Sequence, residues 1–235
     1  MTVRQAIQYA VDKEAYRTAK GGEISGDYAT TLITPGIEGG RQEYSLYSDE
    51  PTGDPISPPR CSRTRAQRPD LRLVINDTQT SAAEAIQQGL ARAGITVTIQ
   101  PLDDNAYTSE VTAGDGSAYD LVLSSWQPDV PPSPPNANLT PPLFDSSQIG
   151  GGNYNLARYA NPPDVDAAIL EASSTIDADE AHALWAAVDQ QILEDSPVVP
   201  LIFSKNSFIH GSGVKDFVIG EFPAYPPNYL TVTLG

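Results

Sequence analysis

Cys61 is the single cysteine of the chain, so no intrachain disulfide can form and no cysteine cluster can hold a metal. Histidine is almost as scarce: His182 and His210 are 28 positions apart, too few and too far separated to frame a metal site or a catalytic triad without further partners. No run of about 18 apolar residues occurs, which removes a membrane-spanning helix, and Met1-Thr2-Val3-Arg4 opens without the apolar core of an export signal. Bases are few as well. The 14 Lys and Arg against 30 Asp and Glu leave a net charge of −16, which repels phosphate backbones and excludes nucleic acid as an expected partner. Residues 101–235 carry 18 acidic side chains against Arg158, Lys205 and Lys215 alone, a composition suited to cationic or amine-bearing ligands and equally to plain solubility.

Motifs of catalysis are missing too. There is no G-x-S-x-G elbow, no P-loop and no H-E-x-x-H, and Gly114-Asp115-Gly116 lacks the third glycine of a dinucleotide fingerprint. Asp103-Asp104 could be pictured as an acid/base pair, but neighbours at a strand end point in opposite directions, and a solvated turn is the expectation. The sequence therefore predicts no enzyme and no cofactor.

What is present is α/β patterning. Thr2-Val3-Arg4-Gln5 has the form of a capping box, and Val3, Ile7, Ala10 and Val11 stripe one face of a helix expected to run about five turns to Gly21-Gly22. Residues 22–50 show little periodicity and read as loop. Leu71–Asn76 reads as a strand, Ser81-Ala82-Ala83-Glu84 as the start of a capped helix ending at Gly94, and Ile95–Ile99 as a second strand. Strand, helix and strand in some 30 residues form a βαβ unit, hence a parallel pair. Tyr119–Ser125 is expected to join as a third strand, with Leu73, Ile75, Ile86, Leu90, Val97, Ile99, Leu121 and Leu123 buried. Two more amphipathic helices follow, striped by Val165, Ala168, Ile169 and Ala172 and by Ala181, Leu184, Val188 and Ile192. Val198–Phe203 reads as an edge strand or an irregular one, since it contains Pro200.

The stretch Trp126-Gln127-Pro128-Asp129-Val130-Pro131-Pro132-Ser133-Pro134-Pro135 leaves the third strand as a stiff loop. An indole and a carboxylate three residues apart at a strand end sit where open α/β folds usually place ligands. Trp126 as a stacking wall and Asp129 as partner of a ligand ammonium are the candidate binding residues; a packed indole and a turn aspartate are the structural alternatives. Asn153 and Asn155, in the Gly150-Gly151-Gly152 loop, could add amide hydrogen bonds or hold left-handed positions.

Four segments together resemble the extracellular solute-binding proteins of family 5, the dipeptide- and oligopeptide-binding receptors of ABC importers. Val3-Arg4-Gln5-Ala6-Ile7 through Ala10-Val11-Asp12-Lys13-Glu14-Ala15 is similar to the family's V-R-Q-A-[IL]-x-x-A-[IV]-D-[RK]-E-A segment. Trp126-x-x-Asp129 resembles its W-x-x-D-x-x-x-P loop, Gly152-Asn153-Tyr154-Asn155 to Tyr159-Ala160-Asn161-Pro162 its G-x-N-x-x-x-Y-x-N-P stretch, and Glu194-Asp195-Ser196-Pro197-Val198-Val199-Pro200-Leu201 its late E-x-x-P-x-[IV]-P-L segment. The resemblance implies a periplasmic-binding-protein-like (class II) α/β lobe with a mixed sheet flanked by helices, and a ligand that is a peptide or other small solute. It also implies an extracellular location, an ABC permease as partner of the whole receptor, and pairing of the peptide amino terminus with Asp129. Members are about twice this long, with V-R-Q-A near their middle. The expectation is therefore a second lobe over residues 1–215 and a tail, 216–235, that crosses back to a first lobe outside this sequence. Residues 56–69, where the family has a helix, hold the Pro58-Pro59 pair and four arginines here, and an exposed irregular loop is expected instead.

Overall fold

The computed structural model describes residues 2–35, 44–47, 50–54, 70–113, 116–127, 140–152, 154–160, 163–218 and 229–235. The expected loop at 56–69 lies outside them.

Helix α1 (Val3–Ala10) begins with the expected capping box: Gln5 N–H donates to Thr2 Oγ1 at 3.2 Å, and Thr2 N–H to Gln5 Oε1 at 3.0 Å. It does not continue for five turns. Val11 turns extended, Asp12 caps a second helix, α2 (Lys13–Ala19), through Ala15 N–H, and the axis breaks between them. The break is filled by main chain from elsewhere. Lys13 and Glu14 N–H groups both donate to Pro51 O, at 2.7 and 3.1 Å, and Asp54 N–H donates to Tyr9 O at 2.7 Å. Apolar periodicity could not reveal this, because the competing hydrogen bonds come from a segment some 40 residues downstream. Gly53 makes the approach possible. Its φ is +70°, and a Cβ there would lie 2.7 Å from Val11 O and 2.9 Å from Ala10 O. Gly53→Ala is therefore expected to destabilise the fold by about 1–3 kcal/mol, read as a lower urea midpoint; an unchanged midpoint would show that the 50–54 segment does not hold the break.

The stretch read as loop after α2 contains a 3₁₀ turn (Gly22–Ser25) and strand β1 (Gly26–Tyr28). Strand β2 (Asp70–Asn76) follows, with Leu73, Val74 and Ile75 all buried, the mark of a central parallel strand covered on both faces. Asn76 caps a 3₁₀ turn, Asp77–Gln79, that leads directly into helix α3 (Thr80–Arg92). Ser81 thus lies inside the helix and is not its cap. Gly94, with φ +75°, ends α3 as expected and admits strand β3 (Thr96–Leu102).

Strands β2 and β3 pair in parallel over their whole length, and β4 (Leu121–Val122) adds in parallel on the other side of β2. The third strand is shorter than Tyr119–Ser125, although Leu123 N–H still donates to Val74 O at 3.1 Å. Helix α4 (Asp104–Ala113), which the sequence did not announce, joins β3 to this strand. Asp103 Oδ1 accepts from Ala106 N–H at 3.0 Å, so the dyad read as a turn starts a helix whose apolar stripe is weak.

Helices α5 (Thr140–Phe144), α6 (Pro163–Ser174) and α7 (Ala178–Asp195) complete the helical part, the last two packed together. Strand β5 (Ile202–Ser204) starts only beyond Pro200 and pairs antiparallel with β1. The tail has a partner the sequence did not show: β6 (Val214–Lys215) pairs antiparallel with β7 (Thr233–Leu234). Among the described residues the main sheet is all parallel, and the antiparallel pairings sit in two separate two-stranded ribbons.

Among the described residues two apolar cores result. One joins α1, α2 and α3 to the sheet through Ile7, Ala10, Val11, Tyr16, Leu73, Ile75, Ile86, Leu90, Val97 and Leu123. Of the residues expected inside it, Ile99 and Leu121 are only partly buried, since β3 and β4 are flanking strands. The other surrounds Trp185 on α7 with Ile33, Phe144, Tyr159, Val165, Ile169, Val188 and Ile192.

Asp189 ties the 31–33 turn to α7. It is 3% exposed, and its carboxylate accepts from Leu32 N–H at 3.1 Å, Ile33 N–H at 3.0 Å and Tyr44 OH at 3.1 Å. Loss of hydration outweighs these donors and raises its pKa above the usual carboxylate value. An aspartate with a raised folded pKa holds more protons folded than unfolded, so its contribution is full below the unfolded value of about 3.9 and is lost as pH rises through the folded one. The stability gap between wild type and Asp189→Asn should accordingly shrink as pH rises from about 4 to about 7. Urea unfolding at fixed ionic strength measures it, and a gap independent of pH would contradict the burial argument.

Candidate ligand-binding site

Strand β4 delivers the candidate site. The segment before it is anchored to β2: Arg72 N–H donates to Asp120 Oδ2 at 2.8 Å, Asp120 N–H to Arg72 O at 3.0 Å, and the Arg72 guanidinium to Ser117 O. Beyond it, Tyr107 OH on α4 donates to Leu123 O at 2.8 Å, which fixes the chain as it leaves the sheet. Trp126 follows, half-buried and packed against the Trp185 core. Asp129 and the proline run lie outside the described residues, as does Asn153.

Tyr154 meets Trp126 edge to face, with ring centroids 5.8 Å apart and planes at 62°, and remains 38% exposed. This aromatic was not singled out in the sequence; the available signal was a lone ring between two asparagines in a glycine-rich loop. Gly150 and Gly152, with φ of +84° and +75°, shape that loop.

Asn155 is 1% exposed with φ +41°. Its Nδ2 donates to Asp145 O at 3.0 Å and Tyr159 O at 3.2 Å, while its Oδ1 accepts from Tyr159 N–H at 2.9 Å. Both donors and the carbonyl are thus used inside the loop, and the left-handed alternative describes the residue better than a direct ligand contact. Tyr119 OH adds a tie, donating to Leu156 O at 3.1 Å.

The remaining chemistry is dispersed. Asp103 and Asp104 serve the start of α4, the latter accepting from Asn76 Nδ2 at 3.0 Å. His210 is exposed beside Phe217, and His182 is half-buried on α7. Among the described residues no three His, Cys, Asp or Glu side chains are grouped to hold a metal, and no helix is long and apolar enough to cross a membrane. Away from Trp126, a cleft lined by Gln8, Lys13, Thr30, Ser45, Tyr47, Leu193 and Pro200 has about 20 Å³ of free space, room for one water. Lys13 Nζ donates there to Ala29 O at 2.6 Å, and burial lowers its pKa to about 8.

No family model matches the chain. A solved structure described as clavulanic acid biosynthesis oligopeptide binding protein 2 superposes on 99% of it with a TM-score of 0.82 and 28% identity. The di/tripeptide-binding protein 4 of Pseudomonas aeruginosa is 28% identical over 153 residues, 65% of this chain. In sequence and in fold the chain is thus similar to peptide-binding solute receptors. DppA of Helicobacter pylori, solved with the peptide STSA, shares the fold over 99% of the chain at a TM-score of 0.76 and 20% identity. The chain spans 43% of the length of each of these two solved structures, and its matched part is 27% of the Pseudomonas relative.

Proposed function

We propose that this chain is the peptide-binding lobe of an ABC-importer receptor, working outside the cytoplasm and handing its ligand to a permease, with no catalytic step. The observation that carries the reading is the 28% identity and 0.82 TM-score to a solved oligopeptide-binding protein along 99% of the chain. In this reading Trp126 and Tyr154 form an aromatic wall, and the Asp129 carboxylate pairs with the peptide ammonium. Asn153 lends an amide at the loop, whereas Asn155 acts by holding it. Residues 1–215 form the lobe, and 216–235 cross to the remainder of the receptor. The surplus of acid in residues 101–235 supports an amine-bearing ligand, because it lowers the energy of a cation approaching that half.

Saturation-transfer NMR with millimolar di- to pentapeptides tests it. Wild type should show transfer to the peptide's first residues, Asp129→Ala and Trp126→Ala should each lose most of it, and N-acetylated peptides should lose it in wild type. Equal transfer to free and acetylated peptides would remove Asp129 from its role.

A further inference from the structure

Arg158 and Gly116 are in closer contact than any side chain at 116 would allow. A Cβ on Gly116 would sit 2.1 Å from Arg158 Nε and 2.3 Å from its Cδ. The Arg158 side chain fills that space with its Nε buried, and its main chain sits in a left-handed turn, φ +47°. Its N–H donates to Asn155 O at 2.9 Å, and its carbonyl accepts from Ala160 N–H at 2.8 Å. Three residues after Gly116, the Tyr119 hydroxyl reaches the same loop at Leu156 O, at 3.1 Å. Both ties start from the turn that feeds β4, and both end on the loop that carries Tyr154. The other end of that turn leads through β4 to Trp126.

We propose that Gly116 and Arg158 form a positioning latch, helped by Tyr119, that sets the Tyr154 ring against Trp126 and so fixes the width of the proposed peptide wall. The ligand role of that wall rests on the function proposed above; the latch itself does not. A side chain at 116 must push Arg158 outward, and the loop, bonded around Arg158 through its own main chain, moves with it. Tyr154 then leaves the indole. Gly116 is thus a residue at which peptide affinity is set without any contact to the peptide.

The test labels the two tryptophans of the folded chain, Trp126 and Trp185, with 5-fluorotryptophan and reads both ¹⁹F resonances, assigned with Trp126→Phe. Gly116→Ala should move the Trp126 resonance toward its position in Tyr154→Ala while Trp185 stays in place. In an Arg158→Ala background the same substitution should move it by less than about a fifth as much, since coupled residues fail to add when they share one contact. Gly116 has φ +76°, and that backbone strain is the same in both backgrounds. An equal shift in both, or none in either, would therefore overturn the latch. Should Gly116→Ala not fold, Tyr119→Phe, which keeps the ring and removes only the hydroxyl tie, should move the Trp126 resonance in the same direction, and no movement would overturn the proposal. The readout needs no ligand. Failure of every variant, wild type included, to bind a free-amine peptide would count against the peptide reading alone. Where peptide does bind, its Kd should rise about tenfold in Gly116→Ala.

Discussion

Calorimetric titration of the monomeric 235-residue chain with di- to pentapeptides is expected to give binding no tighter than about millimolar, roughly −4 kcal/mol. The resemblance implies a ligand enclosed between two lobes, and sites that hold small molecules well bury about 70–90% of the ligand surface. Under the function proposed above, a chain spanning 43% of the solved oligopeptide-binding relative would bring one wall of such an enclosure. That wall, a half-buried indole with Tyr154 38% exposed beside it, is open to water in this chain. In water an ion pair between a carboxylate and a peptide ammonium is worth about 0–1 kcal/mol, well short of the cost of immobilising a flexible peptide. Micromolar binding by a monomer would show that one wall suffices; micromolar binding by a dimer would show a cleft rebuilt from two copies.

The second large effect is structural. Trp185 has no exposed surface and sits at the middle of its core, so Trp185→Ala should cost about 3–5 kcal/mol, a large part of the usual 5–15 kcal/mol of a domain. Its indole N–H has no hydrogen-bond acceptor among the described residues. A buried donor left unpaired costs about 1–3 kcal/mol, so Trp185→Phe deletes a penalty along with some packing and should cost far less than the alanine variant. Urea unfolding of the two variants measures the contrast. Equal losses would mean that the N–H is paired after all, or that the core collapses around the smaller ring only poorly.

Local signals carried much of this molecule. The Thr2–Gln5 box, the Gly94 stop and the Leu71–Asn76, Ile95–Ile99 pair were legible because each depends on residues within one turn or one alternation. The break after Ala10 was not, since Pro51 and Gly53 cause it from far along the chain. Helix α4 was hidden for a different reason: DNAYTSEVTA has no strong apolar face, and the Asp103 cap resembles a turn aspartate in sequence. Likewise β1 is three residues long and owes its existence to β5, some 175 positions away, which no window of sequence can show. At the candidate site, Trp126 was legible as an aromatic at a strand end, whereas its contact with Tyr154 joins two loops 28 positions apart, which no window of sequence can show.

Leu123 belongs to the core around the sheet and Trp126 to the core around Trp185, three residues further on. The exit of β4 is therefore the seam where two separately packed regions are sewn together. Regions of a protein open with different free energies, in roughly cooperative units. Opening of either unit loosens the Trp126–Tyr154 contact, so that contact reports on both cores at once. Under the proposed function a ligand there would stabilise the pair jointly, and unfolding that begins in one core would reach the other through four residues of chain.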